Sequence, residues 1–405
     1  MVRFEIHAAI QFCEPPSKGT VRFVSPALKH IAFPALSKSG YLRYAAGAGP
    51  AVVTYHGVFP AGYEIRNPAL DGNLVHADSL RRQLQLLKRR YHVITPEEFL
   101  HWSQLQCSEL HCSDGKPSLP PRSILLTCDD ALQNTLTEMV PILRELGLSC
   151  LFFATGASAS GSADDTPSML WYEELYLMLL DASEPITLNL PEAGIEGIGP
   201  IAPNQIAPNQ KHSCWWNLVE RLSQFNGPSR RGFLDQFRQQ LQLSENWRSQ
   251  FLESPARAAR FLTLDRAGLR QLAAAGMSVG AHTLSHPILA RASDDLAWQE
   301  ISERRSVLEN ALGRTVWAFA YPFGTAATVT RRDLKLAEQA GFRCAFMNTG
   351  GGLGAKIAGA KIHRFALPRV HVTADMSLAE FEAHVSGFYH SLRQRLLGGN
   401  EDAEI

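Results

Sequence analysis

The sequence predicts an α/β fold: a parallel sheet closing into a (β/α) barrel, interrupted by a large and mostly helical insertion. Three observations carry that expectation. Short apolar runs alternate with amphipathic stretches from Ala51 almost to the C-terminus. The alternation repeats often enough to favour a barrel. Residues from about 157 to 262 then break the rhythm before it resumes. Apolar residues make up 45% of the 405-residue chain, ample for the packed core such a fold needs.

Residues 1–46 are rich in Pro, Ser, Lys and Gly and lack a clear period. They read as an appended segment, with a helix near Pro26–Leu36, packing on a domain that spans 47–405. Ala51-Val-Val-Thr-Tyr55 is the first strand and ends at His56-Gly57. Asp78 reads as the N-cap of a helix over Ser79–Tyr91, whose Leu80, Leu84 and Leu87 share one face. Arg122–Cys128 is a buried strand. Gln133–Leu146 follows as an amphipathic helix with Leu136, Val140, Leu143 and Leu146 inward and Gly147 as its stop.

Further strands are expected at Ser149–Ala154, Met277–Ala281, Val316–Tyr321 and Cys344–Met347, with helices at Asp265–Ala275, Asp294–Leu312 and Thr330–Ala340. Gly276, Gly313 and Gly341 each follow a helix, as C′ glycines do. A last strand around Phe365–Val372 leads into one long helix, Ser377–Leu397. Within the insertion, Trp171–Asp181 and Trp215–Leu243 read as helices. Ile201-Ala-Pro-Asn-Gln205 is repeated at once as Ile206-Ala-Pro-Asn-Gln210, which is expected to be an exposed loop without chemistry.

The 39 basic and 39 acidic residues cancel, so the chain has no field to attract a polyanion, and nucleic acid is not an expected partner. The seven cysteines are odd in number and form no C-x-x-C pair, unlike a disulfide framework. Cys128 and Cys150 lie in apolar runs and read as small buried hydrophobes. Cys107 and Cys112, with His101 and His111 nearby, lack the spacing of common zinc patterns and read as a polar loop. The N-terminus has no secretory pattern, and no window approaches the ~20 uninterrupted apolar residues of a membrane span. A cytoplasmic location without an integral membrane segment is expected.

Two constellations hold the chemistry. Asp129-Asp130 closes the run Ser123–Cys128, and His282-Thr-Leu-Ser-His286 follows the run Met277–Ala281. Each half alone is weak, since Asp pairs cap helices and H-x-x-x-H is common. Together they offer two imidazoles and one carboxylate for a divalent ion, with a second carboxylate beside them for proton transfer. If the chain turns helically after Ala281, the two imidazoles point the same way. A third piece, Phe319-Ala-Tyr-Pro-Phe-Gly324, ends a strand in a turn, read either as ordinary aromatic packing or as a groove wall. Tyr55-His56-Gly57 is a fourth strand exit with one titratable group.

These four pieces in this order resemble the polysaccharide deacetylases with a NodB-like domain, the fourth family of carbohydrate esterases. Leu126-Thr-Cys-Asp-Asp-Ala131 looks like their T-F-D-D-G signature, and Gly280-Ala-His-Thr-Leu-Ser-His286 resembles their H-[ST]-x-x-[HN] motif. Ala320-Tyr-Pro-Phe-Gly324 is similar to the groove motif of the Y-P-[YF]-G branch, and Val53-Thr-Tyr-His-Gly57 to the Y-H-G strand of poly-N-acetylglucosamine deacetylases. The resemblance spans roughly 51 to 372 and implies a distorted NodB-like (β/α) barrel. It implies Asp130, His282 and His286 as metal ligands, Asp129 as general base, and Tyr321, Pro322, Phe323 and Gly324 as substrate contacts.

For the general acid it leaves two histidines, His56 and His371, with His56 preferred. The implied ion is zinc, with cobalt, nickel or iron acceptable to the same donors. The implied partner is a carbohydrate, and Trp171, Tyr172, Tyr321 and Phe323 are expected to stack on sugar faces or to pack in the core.

Two departures from the pattern stand out. Ala131 replaces a Gly, at about 1 kcal/mol or a shifted loop if φ must be positive there. Tyr321 stands where many relatives carry an Arg that orients the base, so Asp129 is expected to lack that partner. The implied activity is removal of N-acetyl groups from a hexosamine-containing glycan or glycan precursor. A small amide or ureide hydrolase and a non-catalytic glycan-binding scaffold are the alternatives.

Overall fold

The computed structural model describes residues 28–44, 50–107, 119–156, 167–182, 186–201, 208–353 and 363–397. Within them run the strands β1 (Ala51–Tyr55), β2 (His92–Ile94), β3 (Ser123–Cys128), β4 (Leu151–Ala154), β5 (Ile186–Leu190), β6 (Ile195–Ile201), β7 (Ser278–Ala281), β8 (Ala318–Ala320), β9 (Cys344–Met347), β10 (Leu367–Pro368) and β11 (Val370–His371). All but β5 and β6 belong to one sheet, ordered β10-β9-β8-β7-β4-β3-β1-β11, with β2 paired to β3. Every pairing in it is parallel.

Only Arg369 separates β10 from β11, yet β10 pairs with β9 and β11 with β1. The two ends of the sheet are therefore consecutive pieces of one stretch of chain, and the sheet is nearly closed into a barrel. It is distorted. β1 occupies one side of β3 from Ile124 to Cys128, so β2 and β4 must share the other, β2 at Ser123–Leu125 and β4 at Thr127–Cys128.

The strands are buried along their length, as parallel strands covered on both faces are. Alternate residues divide between two cores. Val53, Tyr55, Leu126 and Phe152 pack with Leu80, Leu84, Leu143 and Leu269 of the surrounding helices. Val52, Leu125, Phe153, Ala318 and Phe346 form a separate cluster with Phe99. Phe153 and Phe346 stand on non-adjacent strands with ring centroids 5.5 Å apart, so this second cluster fills the barrel's interior.

Several helices begin and end where local chemistry dictates. Asp265, Ser293 and Ser377 accept backbone N–H bonds at helix starts, and Thr330 with Asp333 forms a capping box. Gly147, Gly276, Gly313 and Gly341 take φ between +63° and +84° behind the helices they end.

Other expectations need correction. The helix after His76 is Ala77–Arg90, and Asp78 lies in its first turn rather than capping it. The stretch expected as one helix over Gln133–Leu146 begins with a π-turn, Thr135–Met139, before α-helix Val140–Glu145. Pro141 is the physical reason: it has no N–H for an i→i−4 bond and crowds the preceding turn. The final helix is two, Leu378–Val385 and Phe388–Leu397, parted at Gly387 with φ +75°.

The chain between β4 and β7 builds its own core, in which Trp171, Tyr172, Trp215, Phe233, Phe237 and Trp247 meet. Helix Trp171–Asp181 is as expected. The stretch Trp215–Leu243 is instead two helices, Pro208–Leu222 and Gly227–Gln240, because Asn226 caps the second and Pro228 opens it. The antiparallel hairpin β5–β6, turned at Gly194 with φ +64°, was not expected. The duplicated pentapeptide is not all loop, since Pro208 starts a helix; residues 202–207 lie outside the described residues. So do 108–118, where His111 and Cys112 fall.

Residues 28–44 form short helical turns whose Phe33 and Leu42 pack against Ala383. No helix among the described residues is long and apolar enough to cross a membrane.

Gly280 on β7 shows how tightly the interior is filled, because a Cβ there would lie 2.6 Å from the Phe153 ring and 3.0 Å from the Ala318 carbonyl. Gly280→Ala should destabilise the chain by about 1–3 kcal/mol through overpacking. A urea titration checks this, and an unchanged midpoint would count against the interior packing described.

Candidate metal centre

Asp129 continues the β1–β3 pairing, its N–H donating to the Tyr55 carbonyl at 2.9 Å. The backbone then reverses, with Asp130 at φ +69° and Ala131 at φ +52°. The position held by Ala131 does require positive φ, and the chain accepts Ala there. The reversal sends the adjacent carboxylates to different neighbours. Asp129 meets Arg369, and Asp130 meets His282 and His286.

The His282–His286 loop is not helical. Thr283 (φ +60°) and His286 (φ +55°) both sit in the left-handed region. Thr283 Oγ1 accepts from the His286 N–H at 3.0 Å and closes the turn. Both Nε2 atoms face Asp130 Oδ1, at 3.7 Å from His282 and 3.4 Å from His286. One donor atom from each of Asp130, His282 and His286 fits within 4.8 Å of the others.

His282 Nδ1 lies 2.7 Å from the Ala320 carbonyl. It must carry the proton there, which leaves the Nε2 lone pair facing the centre. Asp130 Oδ1 is buried and has no hydrogen-bond partner among the described residues. Burial, then the neighbouring Asp129 and Glu173 charges, push the Asp130 carboxyl well above its usual range, and burial pulls both imidazoles down. Two neutral imidazoles and an orphaned carboxylate oxygen fit a divalent cation, whose charge would favour the ionised carboxylate of Asp130 and keep both imidazoles neutral.

Asp129 is the opposite case. Burial would raise its carboxyl, but Arg369 holds it well below the usual carboxylate range, with help from His282. The contact is bidentate, Nη1–Oδ1 at 2.7 Å and Nη2–Oδ2 at 2.6 Å, between side chains that are 0% and 1% exposed. The expectation that Asp129 lacks a partner is therefore wrong. Tyr321 is not the residue that reaches it. Arg369 comes from the junction of β10 and β11. A lone Arg inside an apolar strand stretch, two residues before His371, was the available signal.

The two histidines left as alternatives stand in series. His56 Nε2 is 3.9 Å from Asp129 Oδ2, and His56 Nδ1 is 3.2 Å from His371 Nε2. Burial pulls His56 down to about 4, so the imidazole is neutral at neutral pH.

The four residues expected to line a groove are all buried. Tyr321 does not face the centre: it is 0% exposed, packs in the outer core and donates its hydroxyl to the Phe365 carbonyl. Phe323 sits with φ +60° and lies 5.0 Å from the His286 ring, centroid to centroid. Gly324, at φ +65°, backs onto Asn348, leaving no room for a Cβ. Trp171 and Tyr172 are buried as well, so all four aromatics follow the core-packing alternative. Five of the seven non-glycine residues with positive φ among those described (Asp130, Ala131, Thr283, His286 and Phe323) lie at this centre, where stored backbone strain is typical of function.

Residues 245–345 match the family model described as polysaccharide deacetylase, a span that contains His282, His286 and Tyr321–Gly324. No curated protein matches the chain. Among solved structures, it is similar to the Streptococcus pyogenes deacetylase PplD in complex with acetate (15% identity, 84% of this chain and 99% of that one, TM-score 0.47). It is also similar to IcaB from Ammonifex degensii (16%, 84% and 98%, 0.45) and to the BpsB deacetylase domain from Bordetella bronchiseptica (14%, 80% and 97%, 0.42).

Arg369→Met should leave Asp129 buried without its counter-charge and destabilise the chain by about 3–5 kcal/mol at neutral pH. The pH dependence has a definite sign. In the wild type the depressed carboxyl contributes stability above its unfolded value of 3.8, lost only as pH falls through the lower folded value. In the variant the main counter-charge is gone and burial raises the carboxyl, so the deficit shrinks as acid protonates it. Urea midpoints compared at neutral and mildly acidic pH check this, and a deficit that widens in acid contradicts it.

Proposed function

We propose that this chain is a metal-dependent hydrolase that removes N-acetyl groups from an N-acetylhexosamine-containing polysaccharide or glycan precursor. The observation that carries the reading is the division of labour between adjacent carboxylates. Asp129 is paired and ionised, whereas Asp130 is unpaired and aimed at two imidazole nitrogens. The family match over 245–345 supports it independently.

Asp130, His282 and His286 would hold the ion, for which zinc is the first choice and cobalt, nickel or iron suit the same donors. Such an ion supplies Lewis-acid polarisation of the acetyl carbonyl and lowers the pKa of water. Asp129, kept ionised by Arg369, takes the proton of the attacking water at Oδ2. His56 Nε2, 3.9 Å from that oxygen, is placed to carry the proton to the departing amine.

Burial keeps the resting His56 neutral, so it acts as the acid only after receiving the proton that Asp129 takes from the water. His371, 3.2 Å from His56 Nδ1, orients that ring and is a positioning residue rather than a rival acid. Phe323, flanked in the chain by Pro322 and Gly324, packs beside His286, and a backbone N–H near Phe323 is the proposed donor to the developing oxyanion.

One observation favours a second reading. His56, Asp129, Asp130, His282, His286 and His371 are all buried, which suits a small amide or cyclic ureide as well as a sugar chain. A drifted, non-catalytic scaffold is favoured by Ala131 and by a base without its Arg; Arg369 removes the second of these, while Ala131 stays at a positive φ.

Acetate release from N-acetylglucosamine oligomers should disappear on chelation and return with zinc. Asp129→Asn should lower it by roughly 10²–10⁴-fold. Wild-type protein that is free of metal, inert and unresponsive to zinc would sink the proposal. Turnover of short amides alone would select the second reading.

A further inference from the structure

We infer that the insertion between β4 and β7 positions the second histidine of the centre: Trp171 and Arg230 clamp the His282–His286 loop and aim His286. This rests on the reading of Asp130, His282 and His286 as a metal site.

The two imidazoles are not held alike. His282 is oriented by the Ala320 carbonyl, which accepts from Nδ1 at 2.7 Å. His286 Nδ1 is buried and has no hydrogen-bond partner among the described residues. A metal-binding imidazole usually has its other nitrogen fixed by such a partner. For His286 that task falls to the backbone and to ring packing.

The backbone at His286 is itself strained, at φ +55° with Thr283 at +60°. Strain of this kind persists only where the surroundings over-determine it. The barrel holds the first half of the loop. Thr155 Oγ1 donates to the Thr283 carbonyl at 3.3 Å, the Leu284 N–H donates to the Glu300 carbonyl at 3.1 Å, and the Ser285 N–H donates to the Glu300 carboxylate at 2.8 Å.

The second half is held from the insertion. Arg230 Nη1 donates to the Ser285 carbonyl at 2.9 Å and to its hydroxyl at 3.1 Å. Trp171 Nε1 donates to the His286 carbonyl at 3.1 Å. Ser223 Oγ accepts from the Ile288 N–H at 2.9 Å just beyond. The Tyr172 ring lies 4.7 Å from that of His286, centroid to centroid.

The clamp is itself rigid. Arg230 is fully buried, its remaining donors reach the Leu222 and Phe225 carbonyls, and its guanidinium stacks 4.5 Å from the Trp171 ring. Ser285 is thus gripped from one side by Glu300 of the barrel and from the other by Arg230 of the insertion. Without the insertion the carbonyls of Ser285 and His286 lose these donors, and the loop has reason to relax out of its left-handed turns.

The test is zinc affinity by chelator competition, measured on the full chain together with the metal-free melting temperature. Trp171→Phe keeps an aromatic side chain but removes the indole N–H and part of the ring; it should weaken zinc roughly tenfold in a chain that still folds, as the metal-free melting reports. Arg230→Met should weaken it further. Arg231→Ala, on the same helix but paired with Glu174 away from the loop, is the control and should bind as the wild type does.

If Arg230→Met fails to fold, Trp171→Phe alone decides. Wild-type affinity in a folded Trp171→Phe chain, or an equal loss in the control, overturns the inference. A wild type that binds no zinc overturns the metal reading itself, and this inference with it.

Discussion

The bidentate pair between Arg369 and Asp129 is the contact on which the rest of the site depends. Arg369 sits where the sheet closes, between the strand that pairs with β9 and the strand that pairs with β1. Its guanidinium crosses the interior to the exit of β3, with Nε on the Met347 carbonyl and the ring of Phe153 5.4 Å away. Two buried charges are expensive to desolvate, and only good geometry with further hydrogen bonds offsets that expense. Here the fork fits both oxygens, and Thr127 adds a hydroxyl contact at 3.4 Å.

The pair also sets the character of the neighbouring carboxylate. Two acidic groups at one strand exit repel, and burial penalises both. Arg369 neutralises one of them, so Asp129 stays ionised, while Asp130 is left with an unsatisfied oxygen facing two neutral imidazoles. The left-handed turn through Asp130 and Ala131 makes the separation possible, because extended backbone would not aim adjacent side chains this way. Strain at the centre and its electrostatics are thus two aspects of one arrangement.

Much of the framework was legible in the sequence because it rests on local chemistry. Apolar runs such as Ser123–Cys128 and Cys344–Met347 are strands buried on both faces, and Asp265, Ser293 and the C′ glycines mark helix ends through bonds they make to their own turns. The misreadings came where a local signal was outweighed or divided. Pro141 shifted a helix into a π-turn, Gly387 split one, and Asn226 restarted another. The β5–β6 hairpin escaped because its register is irregular and because Gly197 and Pro200 within β6 weaken any strand pattern.

The sequence alone determined the order of most barrel strands and of the helices between them, and the set of groups available for chemistry: Asp129, Asp130, His56, His282, His286 and His371. Only the tertiary structure decided how they pair. It supplied Arg369 as the partner of Asp129, set His56 and His371 in series, drew Tyr321 into the outer core, and placed Trp171 and Arg230 against the His286 loop. Periodicity and spacing report which face of an element a residue occupies. Which side chains meet across the barrel depends on how the sheet closes and where the insertion docks, and those contacts join residues far apart in the chain.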